Sequence, residues 1–189
     1  MSLRHAILTL LETEPASGYD IIRHFKQSLG YFWNAKHQQV YQELRRLSDE
    51  GWLLCSEQAQ SDKPDRKVYS ISPSGRAELR RWLAEPAPPN KINDALLVKL
   101  YAGALAEPDN LRAELARHRA THRATLDSLQ EIERQYLALE PQEQARQRLP
   151  YLTLRRGILG EQAWLAWAEE VEAELAARAG QPHAEPVGK

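Results

Sequence analysis

The sequence predicts a mainly α-helical fold that contains one β-hairpin and is divided by a proline-rich segment. Apolar residues recur every three or four positions along most of the 189 residues, which is typical of amphipathic helices. After Gly51 the spacing changes to two, which indicates strands. Three prolines between Glu85 and Asn90 prevent a helix from continuing. We therefore predict a first domain, a linker, a second domain and a disordered tail at residues 1–85, 86–90, 91–179 and 180–189.

The composition is that of a globular protein, with 42% hydrophobic and 27% charged residues. No apolar run approaches the roughly 20 residues that a bilayer-spanning helix needs. The N-terminus also lacks a signal-peptide pattern, so we expect a cytoplasmic protein without a membrane partner. The single cysteine, Cys55, excludes an intramolecular disulfide and a cysteine-based metal cluster. On a predicted strand it is expected to be a small buried side chain, with a redox sensor as the alternative.

Three helices are predicted before Gly51, each from its apolar face and its ends. Ser17 and Asp20 resemble a capping box at the start of the second helix. Asn34 is a candidate N-cap for the third, and Gly51 stands where a left-handed residue ends a helix. The three apolar faces consist of Leu3, Ala6, Ile7, Leu10 and Leu11, of Ile21, Ile22, Phe25 and Leu29, and of Val40, Tyr41, Leu44 and Leu47.

A hairpin and a fourth helix follow. Residues 52–57 and 67–71 are short strand candidates, and residues 61–66 have the composition of a hairpin loop. Ser72 is a good N-cap, and Pro73 suits the first helical turn. The apolar residues of this fourth helix are Ala77, Leu79, Trp82 and Leu83.

Three helices, a two-stranded hairpin and a further helix form the order of a winged helix-turn-helix. In such folds the third helix enters the major groove of DNA, and the hairpin, or wing, reaches the adjacent backbone. The net charge of −1 gives no hint of a polyanion partner, but residues 61–81 carry a local charge of +3. Residues 35–47 carry +2. The local charges therefore agree with DNA contact where the overall charge does not.

The exposed residues of the third helix and the wing have the chemistry of DNA contacts. Glutamine pairs bidentately with adenine, arginine pairs with guanine, and lysine at a helix N-terminus suits phosphate. The alternatives are an ordinary solvated helix face and a solubilising loop. The candidate residues are Lys36, Gln38, Gln39, Gln42 and Arg45 on the helix, and Lys63, Arg66 and Lys67 on the wing.

Several motifs occur in one order along the first domain. They are Ile7-Leu8-x-Leu10-Leu11, Ser17-Gly18-Tyr19-Asp20-Ile21, Phe32-Trp33, Gln39-Val40-Tyr41-x-Glu43-Leu44-x-x-Leu47-x-x-x-Gly51-Trp52, Arg66-Lys67-Val68-Tyr69 and Gly75-Arg76-x-x-Leu79-x-x-Trp82-Leu83. Together they resemble the N-terminal domain of PadR-type transcriptional regulators. Leu96-Leu97-x-Lys99-Leu100 and the late tryptophans look like the long C-terminal version of that family.

The resemblance implies a homodimeric DNA-binding regulator, usually a repressor and often released by a small molecule. It also implies that Tyr41 lies on the recognition helix with the glutamines and Arg45, and that Arg66 and Lys67 lie on the wing. The hydroxyl of Tyr41 is expected to face the DNA backbone while half of its ring packs inward. The family's effectors vary widely, so the resemblance implies no particular ligand, operator or regulated gene.

The second domain is predicted to be an all-helical dimerisation module. Apolar gaps between Leu111 and Leu139 average near 3.5, which is typical of an antiparallel or coiled-coil-like seam. A second amphipathic stretch runs from Leu154 to Leu175. We expect a partner subunit to cover these stripes, because no sheet is predicted that could. The predicted interface residues are Leu115, His118, His122, Leu126, Leu129, Ile132, Leu165 and Val171.

Two aromatic pairs in this domain have alternative interpretations. His118 and His122 lie four residues apart, but two ligands are too few for a closed zinc site, so no metal or other cofactor is predicted. They are interpreted as a helix interface, with a pH-sensitive interface as the alternative. Trp164 and Trp167 are interpreted as core residues or as part of a pocket for a small aromatic effector.

These residues bear on three classes of function. A dimeric transcription regulator, usually a repressor, agrees with the order of elements and with the local charge. A winged-helix adaptor that binds protein instead of DNA is the alternative. No catalytic motif, such as a nucleophile elbow or a phosphate loop, is present in the sequence, so an enzyme is not predicted.

Overall fold

The computed structural model divides the chain into two compact units, Met1–Asn90 and Lys91–Lys189. It describes residues 3–27, 36–58, 66–87 and 93–179. The predictions that lie outside the described residues concern Leu29, Phe32, Trp33, Asn34, Lys63, linker residues 88–90 and the tail 180–189.

The first unit is a winged helix-turn-helix, as the sequence predicts. Its helices are α1 (Leu3–Thr13), α2 (Gly18–Gln27), α3 (His37–Asp49) and α4 (Pro73–Leu83). Its strands are β1 (Ala16–Ser17), β2 (Leu53–Gln58) and β3 (Arg66–Ile71), which form an antiparallel sheet in the order β1-β3-β2. Strands β2 and β3 form the wing, and Leu53 lies opposite Ile71 at its inner end. Strand β1 was not predicted, because two residues are too few to show an alternating pattern.

The core of this unit lies between the three first helices and the inner ends of the wing strands. Ile7 and Leu8 of α1, Ile21 of α2, and Leu44 and Leu47 of α3 are completely buried. Burying each such side chain stabilises the fold by about 1.5–3 kcal/mol. The apolar stripes predicted for α1 and α3 therefore form the inner faces of these helices.

The junction of α3, the wing and α4 is held by a small set of hydrogen bonds. Gly51 has a φ of 74°, which confirms the left-handed residue predicted after α3. Its carbonyl oxygen accepts hydrogen bonds from the hydroxyls of Ser72 and Ser74, both at 2.7 Å. The Ser72 hydroxyl also accepts from the Gly75 N–H at 3.0 Å, which confirms it as the N-cap of α4. The predicted apolar face of α4 is narrower than expected, because Ala77 and Leu83 are exposed.

A polar network joins α1 to α4. The His5 ring stacks on Trp82 with a centroid distance of 4.6 Å, and its Nε2 hydrogen-bonds to Glu78 at 3.2 Å. The Arg81 guanidinium donates to both carboxylate oxygens of Glu78, at 2.6 and 2.7 Å. These hydrogen bonds lower the pKa of Glu78 to about 2, and the bonds from Arg81 have the largest effect. The carboxylate is therefore ionised at every pH at which the protein is expected to work.

Replacing Glu78 by glutamine is expected to lower the free energy of unfolding at pH 7 by about 1–2 kcal/mol, because charge-assisted hydrogen bonds are lost. A depressed pKa contributes stability above the ordinary carboxyl pKa, and this contribution is lost as the pH falls towards 2. Urea unfolding of both proteins should therefore show a difference that is constant above pH 5 and shrinks below it. Glu12→Gln is the matched control, since Glu12 pairs with Arg76 between the same helices but is exposed. A difference that did not change with pH would contradict the assignment.

The second unit is entirely helical in its described residues. Its helices are α5 (Ala95–Tyr101), α6 (Pro108–Leu137), α7 (Pro141–Arg146) and α8 (Arg148–Ala179), with a 3-10 turn at Gly103–Leu105. Helix α6 ends at Leu137, four residues before Pro141, and α7 was not predicted as a separate helix. No described helix of either unit is long and apolar enough to cross a membrane.

Helices α6 and α8 pack against each other in opposite directions. Contacts between them run from Arg112 with Glu172, through Leu129 beside Gly157, to Glu133 with Arg155. The residue numbers of the partners on α8 therefore decrease as those on α6 increase. This confirms the antiparallel arrangement predicted for the second domain, but places it within one chain.

Candidate nucleic-acid interface

Helix α3 places its apolar and polar residues on opposite faces. Val40, Leu44 and Leu47 are at most 1% exposed, and their spacing of four and three residues keeps them on one side. The helix begins at His37, with Lys36 in the N-cap position. The backbone N–H of Lys36 donates to the side-chain oxygen of Gln39 at 2.9 Å, so Gln39 helps to cap the helix.

The face of α3 that points away from the core carries three polar side chains in a row. Gln38, Gln42 and Arg45 are exposed and are separated by four and three residues, so they lie along one line of the helix. Within the described part of the chain, neither Arg45 nor Lys36 forms an ion pair. A helix of this kind can present two amides and a guanidinium to base edges in the major groove.

Two aromatic residues flank this face. The Tyr41 ring packs against Gly18, the first residue of α2, where an added Cβ would lie 2.4 Å from its Cε1. Tyr41 is nevertheless 44% exposed, so its ring is partly packed, as expected. On β3, burial raises the pKa of the Tyr69 phenol, and the nearby charge of Arg45 opposes that shift. The charge of Arg45 therefore lies close enough to the wing to act on Tyr69.

The wing cations Arg66 and Lys67 each lie beside a carboxylate that was not predicted. Arg66 forms an ion pair with Asp20 of α2 and donates a hydrogen bond to the Ser17 hydroxyl at 3.2 Å. Lys67 is more exposed and lies 3.6 Å from Glu57 on the neighbouring strand. Neither partner is predictable from the local sequence pattern. The Ser17 and Asp20 motif marked the start of α2 correctly, but no signal in the sequence connects it with Arg66.

Cys55 differs from its predicted environment. It lies on β2 opposite Tyr69, but its side chain is exposed. Among the described side chains of β2 only Leu53 is buried, because β2 is the outer strand of the sheet, whereas Tyr69 on the central strand β3 is buried. The prediction of a small buried side chain at Cys55 was therefore wrong.

The seam of the second unit is covered by the chain itself. Leu115, Leu126 and Leu129 of α6 and Leu165 of α8 are at most 5% exposed. Their burial therefore does not depend on a partner chain, contrary to the expectation from the sequence. The remaining predicted interface residues are half-buried and comprise His118, His122, Ile132 and Val171.

The predicted aromatic pairs come together between α6 and α8. The rings of His122 and Trp164 stack with centroids 3.7 Å apart, and His118 lies 6.2 Å from the same tryptophan. The His122 Nδ1 atom lies 2.5 Å from a carboxylate oxygen of Glu161. Trp167 meets Trp164 edge to face at 5.6 Å. Both histidines therefore contact the helix interface, and no group of three potential metal ligands occurs among the described residues.

A winged helix with an exposed polar face on its third helix is typical of DNA-binding transcriptional regulators. Residues 7–81 match the family described as "Transcriptional regulator PadR-like family". Residues 92–176 match the description "Virulence activator alpha C-term". The chain belongs to the PadR-like family of transcriptional regulators, in the long form with a C-terminal helical domain.

Three relatives illustrate this membership. The probable transcriptional regulator Rv1176c of Mycobacterium tuberculosis (strain ATCC 25618 / H37Rv) is 37% identical, over 93% of this chain and 98% of its own. The crystal structure of Bacillus subtilis PadR in complex with operator DNA has a TM-score of 0.77 and 31% identity, over 92% of this chain and 98% of its own. The Vibrio cholerae virulence activator AphA has a TM-score of 0.75 and 40% identity, over 94% and 99%. Bacillus subtilis PadR is also described as a negative transcriptional regulator and has been solved in complex with p-coumaric acid.

Proposed function

We propose that this regulator is a homodimeric repressor that binds a pseudo-palindromic operator through helix α3 of each protomer. The observation that carries this proposal is the exposed line of Gln38, Gln42 and Arg45 opposite the buried stripe of α3. In this proposal residues 1–85 bind DNA, residues 91–179 dimerise, 86–90 are the linker between them, and the tail at 180–189 takes no part. A cytoplasmic location belongs to the same proposal, because the operator must be accessible there.

The residues of α3 divide by the part of DNA that they would contact. Gln38 and Gln42 suit adenine edges, and Arg45 suits the O6 and N7 atoms of guanine. Lys36, at the helix N-terminus, suits a phosphate group, as does the hydroxyl of Tyr41. Gln39 has its amide nitrogen left for a contact, since its oxygen accepts from the Lys36 backbone. On the wing, the exposed Lys67 suits a backbone phosphate.

Dimerisation is proposed to use the apolar surface that the single chain leaves exposed in its second unit. Tyr101 and Leu105 near the end of α5 are 97% and 94% exposed. Leu149, Leu152 and Leu159 of α8 are also exposed and lie on one side of that helix. A second copy that covers these side chains would supply a second α3 helix, and helix-turn-helix dimers read half-sites about one helical turn apart.

An aromatic effector is proposed to act on the second unit near Trp164 and Trp167. The complex of Bacillus subtilis PadR with p-coumaric acid supports a small planar aromatic acid as the class of ligand. Trp164 is half-buried and already stacks on His122, so its ring lies in an aromatic environment that suits such a ligand. Binding there would release the operator. We propose no catalytic activity, since the relatives are described as transcriptional regulators.

Selection of bound duplexes from DNA that flanks the protein's own gene tests this function. The expected result is one enriched pseudo-palindromic site, whose binding weakens steeply as the salt concentration rises. Addition of a small aromatic acid such as p-coumaric acid should then reduce binding. Failure to enrich any duplex, together with a stable complex with another protein, would favour the alternative of a winged-helix adaptor. The DNA complex of Bacillus subtilis PadR favours the regulator over this alternative.

Replacing Lys67 by glutamine is expected to weaken binding to all duplexes by a similar factor. Lys67 is proposed to neutralise one phosphate, which contributes affinity without reading sequence. The slope of log K against log salt concentration should fall by about 0.9 relative to the wild type. Titrations of the selected and scrambled duplexes at several salt concentrations measure both quantities. An effect confined to the selected duplex would assign Lys67 to base readout instead.

A further inference from the structure

The wing and helix α2 are joined by a side-chain cluster of Arg66, Asp20 and Ser17. The Nη2 atom of Arg66 lies against Oδ2 of Asp20 and 3.2 Å from the Ser17 hydroxyl oxygen. Arg66 and Asp20 are 46 residues apart in the chain, so the pair connects two separate parts of the fold. Within the sheet, Ser17 lies opposite Val68, two residues from Arg66. The cluster therefore lies where the wing leaves the core.

Ser17 holds the carboxylate of Asp20 in place independently of Arg66. It accepts hydrogen bonds from the Ser17 hydroxyl at 2.7 Å and from the Ser17 N–H at 3.3 Å. The Asp20 N–H in turn donates to the Ser17 hydroxyl at 3.2 Å. The bond from Ser17 and the charge of Arg66 hold the pKa of Asp20 below its ordinary value. Arg66 therefore pairs with an ionised carboxylate whose orientation is held by Ser17.

The neighbouring cation, Lys67, has no such attachment. Its side chain is 61% exposed, and its partner Glu57 lies on the same hairpin, so this pair does not connect the wing to another element. The side chain of Arg66 is 42% exposed and contacts α2. Two adjacent cations of the wing therefore have different roles available to them. The Nη2 group of Arg66 is already engaged by Asp20 and Ser17, which leaves only its Nε and Nη1 groups for a phosphate.

We propose that Arg66 and Asp20 form a latch that holds the wing against α2, and that Arg66 acts in DNA binding as a positioning residue. This inference rests on the DNA-binding function proposed above. The latch fixes the start of β3, and so sets the distance between Lys67 on the wing and α3, which packs on α2. Asp20, which repels DNA by its charge, is on this account required for full affinity.

Four variants of the full-length protein separate a latch from a phosphate contact. They are Arg66→Gln, Asp20→Asn, the two combined, and Lys67→Gln as the matched control, each titrated with the selected duplex at several salt concentrations. The two single latch variants should each lower affinity about fivefold, and the double variant should lower it no further, because either change opens the same latch. Their salt slopes should equal that of the wild type, whereas Lys67→Gln should reduce the slope by about 0.9.

Hydrogen exchange of the free protein provides a second measurement that needs no DNA. Exchange at residues 66–68 should become faster by a similar factor in Arg66→Gln and in Asp20→Asn, and should stay at the wild-type rate in Lys67→Gln. The latch would be overturned by a reduced salt slope in Arg66→Gln together with unchanged or increased affinity in Asp20→Asn. Unchanged exchange in both latch variants would also overturn it. If the wild type bound no duplex selectively, the proposed function would fail, and hydrogen exchange would still decide on the latch.

Discussion

Replacing Arg45 by alanine is expected to lower the affinity for the operator about 10- to 100-fold, since a good bidentate contact to guanine contributes about 1–3 kcal/mol. The side chain is exposed on the outer face of α3 and has no carboxylate partner among the described residues. The affinity for a scrambled duplex should change much less, because only one cation is lost. Competition between the two duplexes should therefore show relaxed base preference. Titration of a set of single-base operator variants would locate the base pair at which discrimination disappears.

Arg46→Ala is the matched control for this prediction. It removes the same charge from the adjacent residue of α3, but Arg46 points to another side of the helix and pairs with Glu50 at 3.4 Å. We expect its effect to be small and similar for all sequences. Equal losses in Arg45→Ala and Arg46→Ala, with base preference retained in both, would show that α3 supplies only general positive charge.

Replacing Gly75 by alanine is expected to lower the free energy of unfolding of the first unit by about 2–3 kcal/mol, as overpacking does at rigid sites. A Cβ at this position would lie 2.3 Å from the backbone oxygen of Trp52 and 3.0 Å from a side-chain carbon of Ile71. The backbone cannot move aside easily, because the Trp52 oxygen also accepts the Ser72 N–H. The gain of about 1 kcal/mol that alanine brings inside a helix only partly offsets the clash. Urea unfolding followed by tryptophan fluorescence measures the difference.

Gly103→Ala provides the control in the second unit. A Cβ there would lie 3.9 Å from a carbon of Leu111, which is an ordinary contact, so little change in stability is expected. The Gly75 prediction also has a functional consequence. Because Gly75 seats α4 on the turn between α3 and the wing, Gly75→Ala should weaken operator binding as well. An unfolding midpoint equal to that of the wild type would contradict the packing described for this junction.

The parts of the fold that the sequence predicts well depend on local patterns. The stripe of Val40, Leu44 and Leu47 identifies the buried side of α3, and its opposite side follows from helical geometry. Gly51 and Ser72 mark the two ends of the hairpin region by their backbone and capping preferences. The winged-helix order was predictable for this reason, since each of its elements carries its own signal.

The features that sequence analysis missed depend on contacts between distant residues. Asp20 and Arg66 are brought together where β1 pairs with β3, and β1 is too short to be recognised in the sequence. Cys55 is two residues from the buried Leu53, as a second buried strand residue would be, but it lies on the outer strand β2 and is exposed. Periodicity reports which residues share a face, and does not report where the neighbouring elements end.

The second unit illustrates the same limit of periodicity. The spacing from Leu115 to Leu129 correctly predicted a buried stripe, but not which helix covers it. The turn through α7 returns the chain, so that α8 covers α6 within one subunit. The exposed leucines on the other side of α8 are the surface that we propose a second copy covers.

The near-neutral charge of the chain bears directly on the proposal that α3 recognises a specific DNA sequence. Both described cations of the wing are paired with carboxylates, so non-specific attraction to DNA should be weak. Discrimination between the operator and other sequences must then come from the face of α3. The most direct test is the ratio of affinities of the purified protein for its selected duplex and for a scrambled duplex of equal length, at about 0.15 M salt. We expect the selected duplex to bind at least about 10³-fold more tightly. Equal binding of the two duplexes would contradict sequence-specific recognition by α3.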